Sequence, residues 1–255
     1  KMDLTQNLWS IIGFMLVLLA AAGMVVFSLK KMRTRFPPVF RKIPSITRLR
    51  KAIGLSVEDG SRIHVTLGNA SLIDPASASG LNALSTLHRL GQLTSTSDQP
   101  PIATSGDGGI SILSRDVLKI VSIETNSREL YEPDHGQLSG PTPFSYVIGA
   151  LDVIEDPGIR TNILLGNFGP EVGFLSTRSE EKGVFCLAAS NSIVAQSIFL
   201  ATLRDVLIGE ELFVIPAYLA FSPMHLASVR IQDYLRLLVG VSLIAGTILK
   251  LMGIV

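Results

Sequence analysis

Residues 62–91 decide the fold of this chain, because a strand pattern, RIHVTL (62–67), precedes a helix pattern, DPASASGLNALSTLHRLG (74–91). Apolar side chains alternate in the first segment, which is typical of a strand with one face in a core. In the second segment, Asp74 and Pro75 are favoured at a helix N-terminus, and leucines recur at helical spacing. Gly91 predicts the end of this helix.

The same alternation continues along the chain. Further strands are predicted at 102–104, 161–165, 184–188 and 211–219, and helices at 46–53, 110–121 and 192–207. Segment 146–154 fits a strand or a buried helix equally well. Strands that alternate with helices indicate an α/β domain, and we expect it to span residues 52–233 with a mixed, partly parallel sheet.

Both ends of the chain are apolar. Residues 8–29 form a run of twenty-two residues without a charge, long enough for a helix to cross a bilayer. A cleaved signal peptide is disfavoured, because the run is too long and its positive charges follow it. The C-terminal segment 234–255 contains a second predicted membrane span, residues 237–255, in which Lys250 is the one charged residue. The alternative is a buried helix of a soluble domain.

The distribution of charge predicts the orientation. Residues 30–51 contain nine basic side chains and no acidic one, so the positive-inside rule places this linker and the domain in the cytoplasm, at a bacterial inner membrane. We expect a lipid-facing collar that attracts anionic headgroups, formed by Lys30, Lys31, Arg33, Arg35, Arg41 and Lys42. The alternative is that these residues only set topology. Residues 52–233 carry a net charge of −10, which disfavours nucleic acid as a partner.

Two glycine-rich loops are the candidates for ligand binding. The first, SGDGG, follows a predicted strand and would bind an anion through Ser105, Gly106, Gly108 and Gly109. It lacks the P-loop and dinucleotide fingerprints, and a tight turn with Asp107 as helix cap explains the same letters. The second, GNFGPEVG (166–173), predicts either a pocket lining or an irregular hairpin loop.

No other residues of the sequence predict a catalytic or metal-binding site. The four histidines have no metal-ligand spacing, and Cys186, the only cysteine, fits a small core residue. The acidic group Asp152, Glu155 and Asp156 fits a solvated turn better than a cation site. We therefore predict no catalytic residue, no metal and no cofactor, and a protein that is not an enzyme.

Segment 60–119, GSRIHVTLGNASLIDPASASGLNALSTLHRLGQLTSTSDQPPIATSGDGGISILSRDVLK, resembles a family of bacterial membrane proteins classed as a domain of unknown function. The resemblance covers the domain and both terminal helices. It implies no activity and no site residues.

The leading functional hypothesis is a membrane-anchored structural or scaffold protein that self-associates through its cytoplasmic domain. Two membrane helices restrict that domain to the membrane plane, which raises its effective concentration for lateral contacts. A closed homo-oligomer, or an assembly with other membrane proteins, would follow. The alternative is a membrane-tethered sensor or enzyme that binds a phosphorylated small molecule through the two glycine-rich loops.

Overall fold

A computed structural model of the chain describes residues 2–29, 41–220 and 222–252, with side chains from residue 10 onward. The chain divides into two compact units: an α/β unit, Lys42–Ala220, and a unit formed by the two terminal segments. The terminal unit contains helices α1 (Met2–Ser28) and α9 (Pro223–Leu251).

The α/β unit alternates strands and helices, as predicted. Its strands are β1 (Arg62–Thr66), β2 (Ile102–Ser105), β3 (Gly136–Leu138), β4 (Ile159–Gly166), β5 (Phe185–Ser190) and β6 (Asp205–Leu207). Its helices are α2 (Pro44–Asp59), α3 (Ser77–Leu93), α4 (Gly108–Glu124), α5 (Pro143–Glu155), α6 (Val172–Glu181), α7 (Ile193–Thr202) and α8 (Glu211–Leu219).

The six strands form one parallel sheet in the order β3-β2-β1-β4-β5-β6. The expectation of a mixed sheet is therefore wrong. Each connection between consecutive strands contains a helix that returns the chain to the same end of the sheet, and this makes every pair parallel. The order is that of a doubly wound, Rossmann-type domain, and it reverses between β1 and β4 at the topological switch point.

Helices cover both faces of the sheet and form two cores. On one face, Ile63, Val65 and Leu67 pack with side chains from α2, α3, α4 and α8. On the other face, α5, α6 and α7 pack over Leu164 and Ala188. The alternation predicted for β1 is confirmed, yet its polar residues, His64 and Thr66, are as buried as its apolar ones. Sheets covered on both faces leave no solvent-facing side.

The C-terminal part of the domain differs from prediction. The predicted helix 192–207 is the shorter helix α7 followed by strand β6, and the predicted strand 211–219 is helix α8. Pro216 is tolerated inside α8 although it cannot donate a hydrogen bond to the Leu212 carbonyl. That carbonyl instead accepts one from Asn82 Nδ2 of α3 at 2.7 Å.

Gly91, which is predicted to end a helix, and Gly54, which directly follows the helix predicted at 46–53, both lie within helices. Helix α3 passes through Gly91 and ends at Leu93, because the missing side chain lets α4 approach: an ideal Cβ on Gly91 would lie 2.9 Å from Val121 Cγ1. Helix α2 passes through Gly54 and is followed by Gly60 at φ 65°.

Segment 146–154, which fits a strand or a buried helix by its sequence, is part of helix α5. This helix begins with a capping box at Thr142.

The α/β unit starts ten residues earlier than the predicted domain start at 52. Helix α2 belongs to it, because Leu49 is fully buried and Arg48 Nε donates to Asp205 Oδ1 of β6 at 2.6 Å. Of the predicted lipid-facing collar, Lys42 starts this unit and Arg41 directly precedes it, and both are exposed. The other four members, Lys30, Lys31, Arg33 and Arg35, lie outside the described residues.

In the terminal unit, segments Ser10–Ser28 and Pro223–Leu251 are long and apolar enough to cross a membrane. The two helices pack against each other. The ring of Phe27 stacks on Tyr234 with centroids 5.5 Å apart, and the Arg230 guanidinium carbon lies 5.9 Å from the Phe27 centroid. Gly23 allows a close approach of the two helices, since an ideal Cβ there would lie 2.6 Å from Ile231 Cδ1.

Two glycine substitutions in the α/β unit should change the free energy of unfolding in opposite directions. Gly54→Ala places a methyl group in open space on a helix and should raise the free energy of unfolding by about 0.5–1 kcal/mol. Gly68→Ala should lower it by about 2 kcal/mol or more, because Gly68 has φ 77° and its ideal Cβ lies 2.7 Å from backbone atoms of Asn167. Urea titration of both variants measures their free energies of unfolding. Equal changes in the two variants would contradict the open space at Gly54 and the close backbone contact at Gly68.

Candidate functional site

The two glycine-rich loops meet at one edge of the sheet. Strands β2, β1 and β4 are parallel neighbours, so their carboxyl ends lie side by side. The SGDGG loop follows β2 and the GNFGPEVG segment follows β4, one on each side of the turn Gly68-Asn69 that ends β1. Ligands of doubly wound domains bind at this switch point. Local patterns in the sequence did not point to Gly68 and Asn69, although these residues directly follow the predicted strand 62–67.

Backbone packing forms the floor of the switch point. The Asn69 amide donates to the Asn167 carbonyl at 3.1 Å, and the Gly106 amide donates to the Gly68 carbonyl at 3.0 Å. Gly166 has φ 141°, and its ideal Cβ would lie 2.5 Å from the Leu67 carbonyl oxygen. Glycine is therefore required where these loops cross, since any side chain would separate them.

Glu171 lies between the two sides of the switch point. The residue follows β4 in the chain and is only 4% exposed. Its carboxylate accepts hydrogen bonds from the Gly169 amide at 2.9 Å and from Asn69 Nδ2 at 3.3 Å. Among the ion pairs of the described residues, none involves Glu171. The GNFGPEVG segment is not a hairpin loop, because β4 and β5 are parallel and the segment leads into α6.

The SGDGG loop is a two-residue turn closed by its own side chains. Asp107 caps α4 by accepting from the Ile110 amide at 3.0 Å, and Ser105 Oγ donates to the Asp107 carbonyl at 2.9 Å. Gly108 already belongs to the helix and has a negative φ, as does Gly109. Anion binding by this loop stays a prediction, and an anion there would compete with the Asp107 carboxylate for the helix N-terminus.

A buried polar layer lies beneath the switch point, on the face covered by α5. His64 Nε2 lies 2.9 Å from Thr104 Oγ1, and Asn162 Nδ2 donates to Ser179 Oγ at 2.7 Å. Burial lowers the pKa of His64 to about 4, an effect that its β4 neighbour Asn162 partly offsets. Burial likewise raises the pKa of Tyr146, whose hydroxyl belongs to the same layer. His64 and Tyr146 are therefore uncharged at neutral pH.

Two of the other histidines lie beside carboxylates outside the switch point. His88 lies 3.1 Å from Glu124, and His135 lies 3.3 Å from Glu132. Burial and the charge of Arg62 lower the pKa of His135.

Cys186 is a buried core residue, and burial raises its pKa to about 12. In the acidic group, Glu155 pairs with Arg178, whose Nη2 lies 3.0 Å from Glu155 Oε2. Asp156 Oδ1 accepts from the Gly158 amide at 2.8 Å, as in a turn. No group of three or more metal-binding side chains occurs within the described part of the chain.

Comparison with known proteins identifies a family without a known activity. The model of a family described as Domain of unknown function (DUF6754) matches residues 5–255. Neither the curated proteins nor the solved structures contain a match. The resemblance to a family of unknown function, predicted from residues 60–119, is thereby confirmed.

The polar layer predicts a pH dependence. An unfolded histidine takes up a proton near pH 6.5, whereas folded His64 does so only near pH 4. The unfolded state therefore binds more protons in this interval, and stability falls as the pH is lowered from 6.5 to 4. His64 alone should account for a loss on the order of 3 kcal/mol.

Urea titration of the wild type and His64→Gln across that interval measures this contribution. The free energy of unfolding of His64→Gln should fall less than that of the wild type between pH 6.5 and pH 4, because the variant lacks the buried imidazole. His88→Gln, which removes a surface partner of Glu124, is the control and should keep it. Identical pH profiles for wild type and His64→Gln would contradict the burial of a neutral imidazole.

Proposed function

The chain belongs to the DUF6754 family, a domain of unknown function, and on that premise we propose that it is a membrane-anchored scaffold protein. In this proposal it self-associates through its α/β domain and is not an enzyme. The observation that carries the proposal is an exposed apolar surface on helices α5, α6 and α7. We call it the α5–α7 surface; its members are Phe144, Ile148, Phe174, Ile193, Val194 and Leu200.

Helix α7 supplies half of this surface. It has the sequence IVAQSIFLAT, which contains no charged residue. Ala195 and Phe199 are buried against the sheet, so the helix already has a core-facing side, yet Ile193 is 81% and Leu200 is 56% exposed. An amphipathic surface helix normally places polar residues on that outer side. Its outer side is therefore suited to contact with a partner.

Helices α5 and α6 extend the surface and border it. Phe174 of α6 and Ile148 of α5 are both more than half exposed, and α6 lies against α7 where an ideal Cβ on Gly173 would be 3.5 Å from Ile198. Arg178 and Glu155 form an ion pair at the far end of the same two helices. An apolar centre with a charged rim is the composition of a protein–protein interface.

Charge favours a second copy of this chain as the partner. Residues 42–220 carry 13 basic and 19 acidic side chains, a net charge of −6, so two copies repel each other over most of their surface. The α5–α7 surface has no charge of its own. Like-charged copies can approach there at the lowest electrostatic cost, and apolar area buried in the contact stabilises it by about 25 cal/mol per Å².

Membrane attachment would strengthen this association. Segments Ser10–Ser28 and Pro223–Leu251 are apolar enough to hold the domain at a bilayer, which confines copies to two dimensions. Exposed Lys42 starts the α/β unit and Arg41 directly precedes it, so both are positioned in the chain to meet anionic headgroups. The basic segment 30–51 supports a cytoplasmic location for the domain.

Substitution of the α5–α7 surface tests self-association. The double variant Ile193→Asp, Leu200→Asp places two carboxylates in the proposed contact and should reduce the mass of the detergent-extracted protein to that of a monomer. Light scattering coupled to gel filtration measures the mass. The control is Ile73→Asp, at a loop position that is 95% exposed and outside the surface.

The control variant should keep the wild-type mass. A monomeric wild type would refute the scaffold function. An oligomeric double variant would instead show that another surface mediates the association.

Cysteine labelling tests the proposed orientation. Thr5→Cys should react with a membrane-impermeant maleimide in intact cells, because the N-terminus is expected outside. Asp98→Cys, at an exposed position of the α/β unit, should react only after permeabilisation. Buried Cys186 provides a low background. Labelling of Asp98→Cys in intact cells would place the domain on the opposite side.

A further inference from the structure

We propose that the switch point between β1 and β4 binds a neutral ligand with two adjacent hydroxyl groups, a sugar or the ribose of a nucleoside, through Glu171, Asn69 and Asn167. This inference is independent of self-association, because the α5–α7 surface and the switch point use different residues. The position follows from topology. The chain leaves β1 toward α3 on one face of the sheet and leaves β4 toward α6 on the other, which is the arrangement that places ligands of doubly wound domains at the switch point.

The Glu171 carboxylate is the group that points to a ligand. It is 96% buried, and both of its hydrogen-bond donors, the Gly169 amide and the Asn69 side chain, are neutral. Buried carboxylates in proteins are normally paired with a cation or bound to strong donors. A carboxylate has about four acceptor positions, and the two hydrogen bonds seen here leave capacity for further donors.

Asn167 adds a second polar group on the same side. Its backbone forms the floor of the switch point, and its half-buried side chain makes no hydrogen bond to any residue that the structure describes. A carboxamide both donates and accepts, as a hydroxyl group does. Together, Glu171, Asn69 and Asn167 offer acceptors for two hydroxyl protons and donors for hydroxyl oxygens.

Electrostatics favours a neutral ligand over a phosphorylated one. Glu171 and Asp107 place two carboxylates around the ends of β4 and β2, and the described ion pairs show no cation with either of them. A phosphate would be repelled by both carboxylates. Hydroxyl groups instead gain charge-assisted hydrogen bonds, in the way that acidic residues of doubly wound domains accept from a ribose hydroxyl.

Isothermal titration of the full chain in detergent tests the site with three probes: ribose, adenosine and adenosine 5′-monophosphate. We expect adenosine or ribose to bind, and the monophosphate to bind more weakly than adenosine. Binding of both ribose and adenosine would identify a sugar site, whereas binding of adenosine alone would identify a nucleoside site. Absence of binding for ribose and adenosine at millimolar concentration would overturn the proposal.

Variants locate the binding. Glu171→Gln keeps the size of the side chain, removes its charge and should weaken binding about tenfold or more. Glu180→Gln, at an exposed position of the same helix, is the matched control and should bind as the wild type does. If Glu171→Gln fails to fold, Asn167→Ala decides instead, because it removes a side chain that braces neither loop. Unchanged affinity in the folded variants would overturn the assignment of these residues.

Discussion

The parallel pairing of β1 with β4 is the contact on which the rest of the domain depends. Five register pairs join the two strands, and just beyond them Gly68 and Asn167 bring their backbones together. This pairing places β1 in the centre of the sheet with neighbours on both sides. A central parallel strand must be covered on both faces, so the remaining helices divide between two layers. The switch point, the two cores and the polar layer all follow from this position.

The central position of β1 also explains the chemistry of the interior. An alternating strand at the edge of a two-layer domain would expose His64 and Thr66 to water. Here α5 covers them, and buried polar groups need partners. Thr104 of β2 and the Asn162–Ser179 pair supply hydroxyl and amide groups in the same layer. The layer holds neutral groups because burial opposes charge, and its polar contacts restrict how the strands can shift against each other.

The two proposed activities use opposite features of one domain. Self-association depends on apolar side chains that remain exposed on α5, α6 and α7, whereas ligand binding depends on a carboxylate that is almost fully buried at the switch point. Helix α6 joins them, because Glu171 is its N-cap residue and Phe174 lies in its first turn. A ligand that repositions Glu171 would act on the first turn of the helix that borders the association surface. The scaffold and the ligand site are therefore adjacent in the fold although they share no residue.

Local patterns in the sequence determined much of this protein. The terminal apolar helices, the alternation of strands and helices, strands β1, β2, β4 and β5 and the burial of Cys186 follow from periodicity, length and composition, which depend on neighbouring residues alone. Tertiary structure decided the order of the strands, and hence that SGDGG and GNFGPEVG flank Gly68 and Asn69. It also made 211–219 a helix, since Asn82 of a distant helix satisfies the carbonyl that Pro216 leaves free. Likewise, Gly91 lies inside a helix because Val121 packs against it. These outcomes depend on contacts between residues far apart in the chain, which no local pattern encodes.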